Sequence, residues 1–163
     1  MDITLNTPLS LRPERKEDTP FLLSLFQASN PHLLLTCLPE EAAQQLIEHQ
    51  FQVRQRGYQL TYPDACHYIV TCNQQPIGQL CLHINTENIH IVDLALIPEQ
   101  QGQGYGSQLL NVLKQHIIPG QSLTLSVSLN NPRAQDLYQR LGFIQTQRTE
   151  ILQQMQWTPQ QPS

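Results

Sequence analysis

Lysine occurs only twice in these 163 residues, at positions 16 and 114, and tryptophan only once. Charged residues are sparse at 13%, and acids outnumber bases for a formal net charge of −4. A broad nucleic-acid surface normally needs a basic patch, so this balance argues against that partner. No apolar run is long enough to cross a membrane. The opening MDITLNTPLSLRPERKED has no basic segment leading into an apolar one, so nothing in it points to secretion. Cys37, Cys66, Cys72 and Cys81 form no C-x-x-C pair, and the six histidines are scattered, with no two on one helix face. That argues against a metal site. The expectation is free thiols in a reducing compartment, the cytoplasm, and no metal. Internal repeats and linkers are missing too. We expect a single domain over 1–157, with 158–163 a frayed tail.

What is present is a sequence of clear periods. LSLRP (9–13) reads as a short strand, and Asp18-Thr19-Pro20 as the cap and start of a helix through FLLSLF. PEEAAQQLIEHQFQVRQR, from Pro39, places Ala42, Ala43, Leu46, Ile47 and Phe51 at helical spacing. The stretch 54–68, RQRGYQLTYPDACHY, reads as a long aromatic-bearing connection. ACHYIVTC, PIGQLCLHI and NIHIVDLALIP are strand-like and separated by turn-rich gaps, as antiparallel hairpins require. A helix is expected to about Ile118, then the strand SLTLSVSL. A further helix begins at Pro132, with Asn131 as its N-cap and Gly142 as its stop. Strands near 143–147 and 149–157 finish the chain. The order β-α-α-β-β-β-α-β-α-β-β describes an α/β layer structure with a mixed sheet.

One segment resists a purely structural reading. Between the last strand of the hairpin series and the following helix lies Gln101-Gly102-Gln103-Gly104-Tyr105-Gly106-Ser107. Glycine costs about 1 kcal/mol relative to alanine within a helix, so stability does not favour three at a helix start. Amides at a helix N-terminus lack internal partners and carry partial positive charge, and glycine removes the Cβ that would keep an anion away. The arrangement suits a pyrophosphate. It is not a P-loop, because no lysine follows Gly106. Nor is it the dinucleotide fingerprint, because Ser107 replaces the third glycine.

The glycine segment is followed, after a helix and a strand, by Asn131-Pro-Arg-Ala134-x-x-Leu137-Tyr138-x-x-Leu-Gly142-Phe143. Together the two motifs resemble the GNAT superfamily of acyl-CoA-dependent N-acetyltransferases, and the resemblance covers most of the chain. It implies a mostly antiparallel mixed sheet flanked by about four helices, and acetyl-CoA as acyl donor. It also implies that the amides from Gln101 to Ser107, through Gly102, Gln103, Gly104, Tyr105 and Gly106, hold the coenzyme's pyrophosphate. Leu94, Ala95 and Leu96 would splay from the neighbouring strand and bond the pantetheine arm through their backbone. Asn131 and Ala134 would lie beside that arm. The family has Arg or Gln at the position of Gln101, and glutamine brings no cation.

By the same resemblance Tyr138 meets the departing thiolate, although it also reads as a core tyrosine beside Leu137 and Leu141. The base is less determined. Asp93 is a carboxylate in an apolar strand, and burying it without a partner is costly. His90 is an alternative that strict alternation directs to the opposite sheet face. Either one, or ordered water, remains open. The acceptor is a small-molecule, peptide or protein amine, with the acidic balance favouring a cationic one. A homodimer is open. The competing reading is a non-catalytic acyl-CoA-binding or regulatory module, with a nucleotide binder behind it.

Overall fold

The computed structural model describes residues 8–34 and 37–159. The expected frayed tail therefore falls largely outside the described residues. Strand β1 (Leu9–Pro13) leads to helices α1 (Thr19–Ser29) and α2 (Glu40–Thr61). Strands β2 (Cys66–Cys72), β3 (Gln75–Ile84) and β4 (Asn88–Leu96) follow as a meander. Then come α3 (Tyr105–Gln115), β5 (Ser122–Ser128), α4 (Pro132–Arg140), β6 (Ile144–Arg148) and β7 (Leu152–Trp157). The strands form one sheet in the order β1-β2-β3-β4-β5-β7-β6, antiparallel except for β4 beside β5. Among the described residues, no helix is long and apolar enough to cross a membrane.

Each sheet face has its own core. Leu80, Leu82, Ile89, Ile91, Leu123 and Leu125 point toward Leu109, Leu110 and Leu113 of α3. On the other face Ile69 joins Leu22 and Phe26 of α1 and Ile47 and Phe51 of α2. Each such side chain contributes roughly 1.5–3 kcal/mol on burial. The two layers of helices therefore clamp the sheet from both sides.

Helix α2 runs further than its sequence implies. Gly57 and the polar QRGYQLT segment argue for a connection from residue 54, yet the helix continues to Thr61. Arg54, Tyr58 and Tyr62 lie four residues apart on one stripe, and packing against the sheet offsets the cost of Gly57. The stop comes one residue before Tyr62-Pro63, where proline disfavours helical backbone in the residue preceding it. Helix α3, in turn, ends at Gln115 rather than near Ile118.

Asp18 precedes α1, but its carboxylate does not cap that helix. It takes two bonds from Arg12, at 2.7 and 2.8 Å, and one from the Arg15 amide at 2.7 Å. The Arg12 guanidinium is the main cause holding its pKa down at about 2. A lowered carboxylate pKa gives stability that is present above the unfolded value and lost as pH falls through the folded one. Asp18→Asn should therefore reduce unfolding free energy by about 1–2 kcal/mol near pH 7. The difference from wild type should shrink as pH falls from about 4 toward 2 in urea titrations.

Two irregularities shape the centre of the sheet. Cys81 pairs with Asp93 while the next residue, Leu82, pairs with Ile91, so Val92 is an extra residue, a bulge, in β4. His83 faces His90 across the same ladder. Since Cys81 and His83 are two apart on a regular stretch of β3, Asp93 and His90 share a sheet face. The expectation that alternation separates them fails because the bulge resets the alternation. The second irregularity is a parting of strands. β4 and β5 pair only from Asn88–Ile91 to Ser122–Leu125. Beyond Ile91, β4 is bonded to β3 alone, and β5 continues beside β7.

Candidate functional site

Where β4 and β5 part, a groove of about 670 Å³ opens. The free edge of β4 forms its floor through Asp93, Leu94, Ala95 and Leu96. The glycine segment closes one end through Gln101, Gly102, Gly104, Tyr105, Gly106 and Ser107, and α4 forms a wall with Asn131, Ala134 and Tyr138. Thirteen of the fifteen candidate residues thus line a single groove. Gln103 does not; its side chain turns back to the Glu99 carbonyl at 3.1 Å. Nor does His90, whose Nδ1 lies 2.8 Å from the Thr124 hydroxyl and whose ring stacks on Tyr62.

Backbone geometry explains two of the glycines. Gly102 and Gly104 have φ of 78° and 84°, in the left-handed region where a Cβ is strained. Gly104 is the residue before α3, and a Cβ added there would meet no atom within 4 Å. The first helical bond of α3 is from the Gln108 amide to the Gly104 carbonyl. The amides of residues 105, 106 and 107 therefore have no helical acceptor. Gln101 donates to the Leu96 carbonyl at 3.0 Å, tying the loop to the end of β4. The cation that Gln101 lacks comes from α4, because a Cβ on Gly102 would lie 3.0 Å from the Arg133 guanidinium. Open amides, absent Cβ atoms and a nearby guanidinium are the donor set a pyrophosphate requires, so the residues present fit that group.

The other end of the groove is electrostatically distinct. Asp93 is largely buried, with 19% of its side-chain surface exposed, and its proton affinity is raised, chiefly by loss of water. Arg54, the Gln79 side chain and the Leu94 amide act in the opposite direction. Gln79, itself buried, donates from Nε2 to Oδ2 of Asp93, and Arg54 Nη1 is 3.7 Å from the same oxygen. The nearby phenol and thiol, unlike Arg54, are neutral. Burial, then the Asp93 charge, pushes the Tyr58 phenol to about 12 and the Cys81 thiol to about 12. Tyr138 is shifted upward for the same two reasons, burial first. Its ring packs edge-on to Phe143, 5.9 Å away, so it is a core tyrosine and a groove residue at once. His90 is held below its ordinary value by burial and by His83.

Among the residues at or behind the groove that escaped the sequence reading are Arg54, Gln79, Arg133 and Arg140. Arg54 was readable only as one of the 54/58/62 stripe, which requires a helix across Gly57. Arg133 sits beside Asn131 in the second motif. Gln79 is a polar residue in an apolar strand, the same signal that marks Asp93.

Known proteins share this fold. Over an alignment of 90 residues, covering 53% of this chain and 57% of the relative, the chain is 29% identical to an uncharacterized N-acetyltransferase of Methanocaldococcus jannaschii. An acetyltransferase from Thermus thermophilus superposes with a TM-score of 0.67 at 22% identity, over 96% of this chain and 99% of the other. A spermidine N-acetyltransferase from Vibrio cholerae, in complex with CoA and spermine, gives 0.64 at 20% identity, over 92% and 95%. At these identities the two structures establish a shared fold. Residues 22–143 match the sequence profile of the Acetyltransferase (GNAT) family, and with that match over most of its length the chain belongs to this family.

Proposed function

We propose that this protein is an acetyl-CoA-dependent N-acetyltransferase acting on a primary amine by direct attack. The observation that carries the reading is that one groove joins an anion cradle to a partly buried carboxylate and a tyrosine along the unpaired edge of β4. Residues 101–107 and Arg133 hold the pyrophosphate, and the backbone of 94–96 guides the extended arm. Bound acetyl-CoA supplies an activated acetyl group. A new C–N bond forms as the C–S bond breaks, and the amine gives up a proton. Asp93 accepts that proton, and its raised proton affinity makes it a stronger base than an exposed aspartate. The Tyr138 hydroxyl returns a proton to the sulfur. His90, outside the groove, takes no part.

Calorimetric titration of acetyl-CoA, paired with a thiol assay for released CoA over a panel of amines, tests the reading. Binding with amine-dependent release is expected. Binding with no release for any amine would instead support the acyl-CoA-binding module. Tyr138→Phe is expected to lower kcat about tenfold, because a thiolate with a pKa near 8.5 leaves readily even unassisted. A kcat within twofold of wild type would remove Tyr138 from the proton path.

A further inference from the structure

Arg54 enters from α2 at the Asp93 end of the groove, where an acceptor must arrive. Its guanidinium lies over Phe26, 4.7 Å from the ring centre, and 5.6 Å from that of Tyr58. Those contacts fix its plane. Among the described residues, its Nε is buried without a hydrogen-bond partner. The approach to Asp93, at 3.7 Å, is too long for a hydrogen bond. Arg54 is only partly buried, yet a cation whose Nε is buried and unpartnered is uncommon unless something else satisfies it.

We propose, building on the acetyltransferase reading, that Arg54 receives the acceptor's carboxylate, and that the acceptor is a free α-amino acid. Arg54 and Asp93 form an ion pair that is too long to be a hydrogen bond. An α-amino acid presents the complementary pair, with nitrogen and carboxylate oxygen about 3 Å apart by bond lengths. Laid across the site, its carboxylate meets Arg54 while its nitrogen meets Asp93, the group that takes the proton. Charge in the rest of the groove agrees. With Arg133 assigned to the pyrophosphate, Arg54 and Arg140 still line it against the single carboxylate of Asp93. A polyamine would bring further positive charges to a groove with no second acid to hold them. A peptide N-terminus would place a neutral amide where Arg54 needs an anion. The acidic net charge of the whole chain is thus a poor guide to the acceptor, because the local balance has the other sign.

The test is CoA release measured over the twenty L-amino acids and spermidine. The best amino acid is then compared with its own amide and with the amine lacking its carboxylate. The expected kcat/KM for the acid exceeds that for either analogue at least tenfold. In Arg54→Met that ratio falls to about one, and Arg54→Lys restores part of it. Equal rates for acid and amide in the wild type, or a preference for spermidine, would overturn the proposal while leaving N-acetyl transfer intact. A parallel loss for acid and amide in Arg54→Met would overturn it as well. No release with any amine, despite acetyl-CoA binding, would remove the transfer reading and this proposal together. Should the Arg54→Met protein fail to fold, the wild-type ratio of acid to amide decides alone.

Discussion

Replacing Asp93 by asparagine should lower kcat about 10³-fold, within the range found for removal of a general base. Asparagine keeps the shape and still offers an oxygen to Gln79 Nε2, so the change tests charge and basicity rather than packing. The pH dependence adds a second readout. In wild type, kcat/KM should decline as pH falls through the raised Asp93 pKa, which lies above the ordinary carboxylate value. That acid limb should be absent from the residual activity of the variant. Stability should move differently. Because Asp93 binds its proton more tightly folded than unfolded, wild-type stability declines as pH rises between the unfolded and folded pKa values. Asparagine is neutral throughout and escapes that decline. An inactive variant no less stable than wild type near neutral pH is the expected outcome. A kcat within tenfold of wild type would pass the proton to water.

The second large effect is expected at Gly104. Valine there should weaken acetyl-CoA binding by about 10²-fold in calorimetry. Two causes act together. At φ of 84° a β-branched residue is strained by roughly 1–3 kcal/mol and pulls the turn toward another conformation, misaiming the amides of 105–107. The new side chain would also project into open groove, since nothing lies within 4 Å of its Cβ position, and would occupy the space a phosphate needs. Gly57 is the natural control. A Cβ there also meets nothing within 4 Å, but the backbone is helical and far from the loop. Gly57→Ala should stabilise α2 by up to about 1 kcal/mol and leave acetyl-CoA affinity unchanged. Unchanged affinity in Gly104→Val would move the cradle elsewhere.

Much of this site was legible because its chemistry is local in sequence. Asn131 caps α4 by accepting from the Ala134 amide at 3.2 Å, as its position before Pro132 foretold. The glycines at 102 and 104 could be read from the missing Cβ atoms that let an anion reach the amides. Long-range placement was not legible. Arg54 and Asp93 are thirty-nine positions apart in the chain, and only the α2 crossing brings them within 3.7 Å. Helix α2 was foreshortened because Gly57 and a polar run outweigh, in local propensity, the packing that holds the last turns in place. His90 was assigned to the wrong face because a strand's alternation can be counted only if every residue is paired. A bulge is invisible to that count.

Val92 marks where β4 stops belonging wholly to its sheet. Without it β4 would be an uninterrupted strand, yet Ile91, Leu94 and Leu96 would still face α3, and His90, Asp93 and Ala95 would still face α2. The residue is thus not there to choose faces. Pairing with β5 ends at Ile91, immediately before it, and bulges bend the strand that carries them. One residue of surplus contour length makes β4 a peeled edge instead of a sealed seam. Backbone groups that a regular sheet would have used on its own neighbour become the floor on which another molecule can be laid.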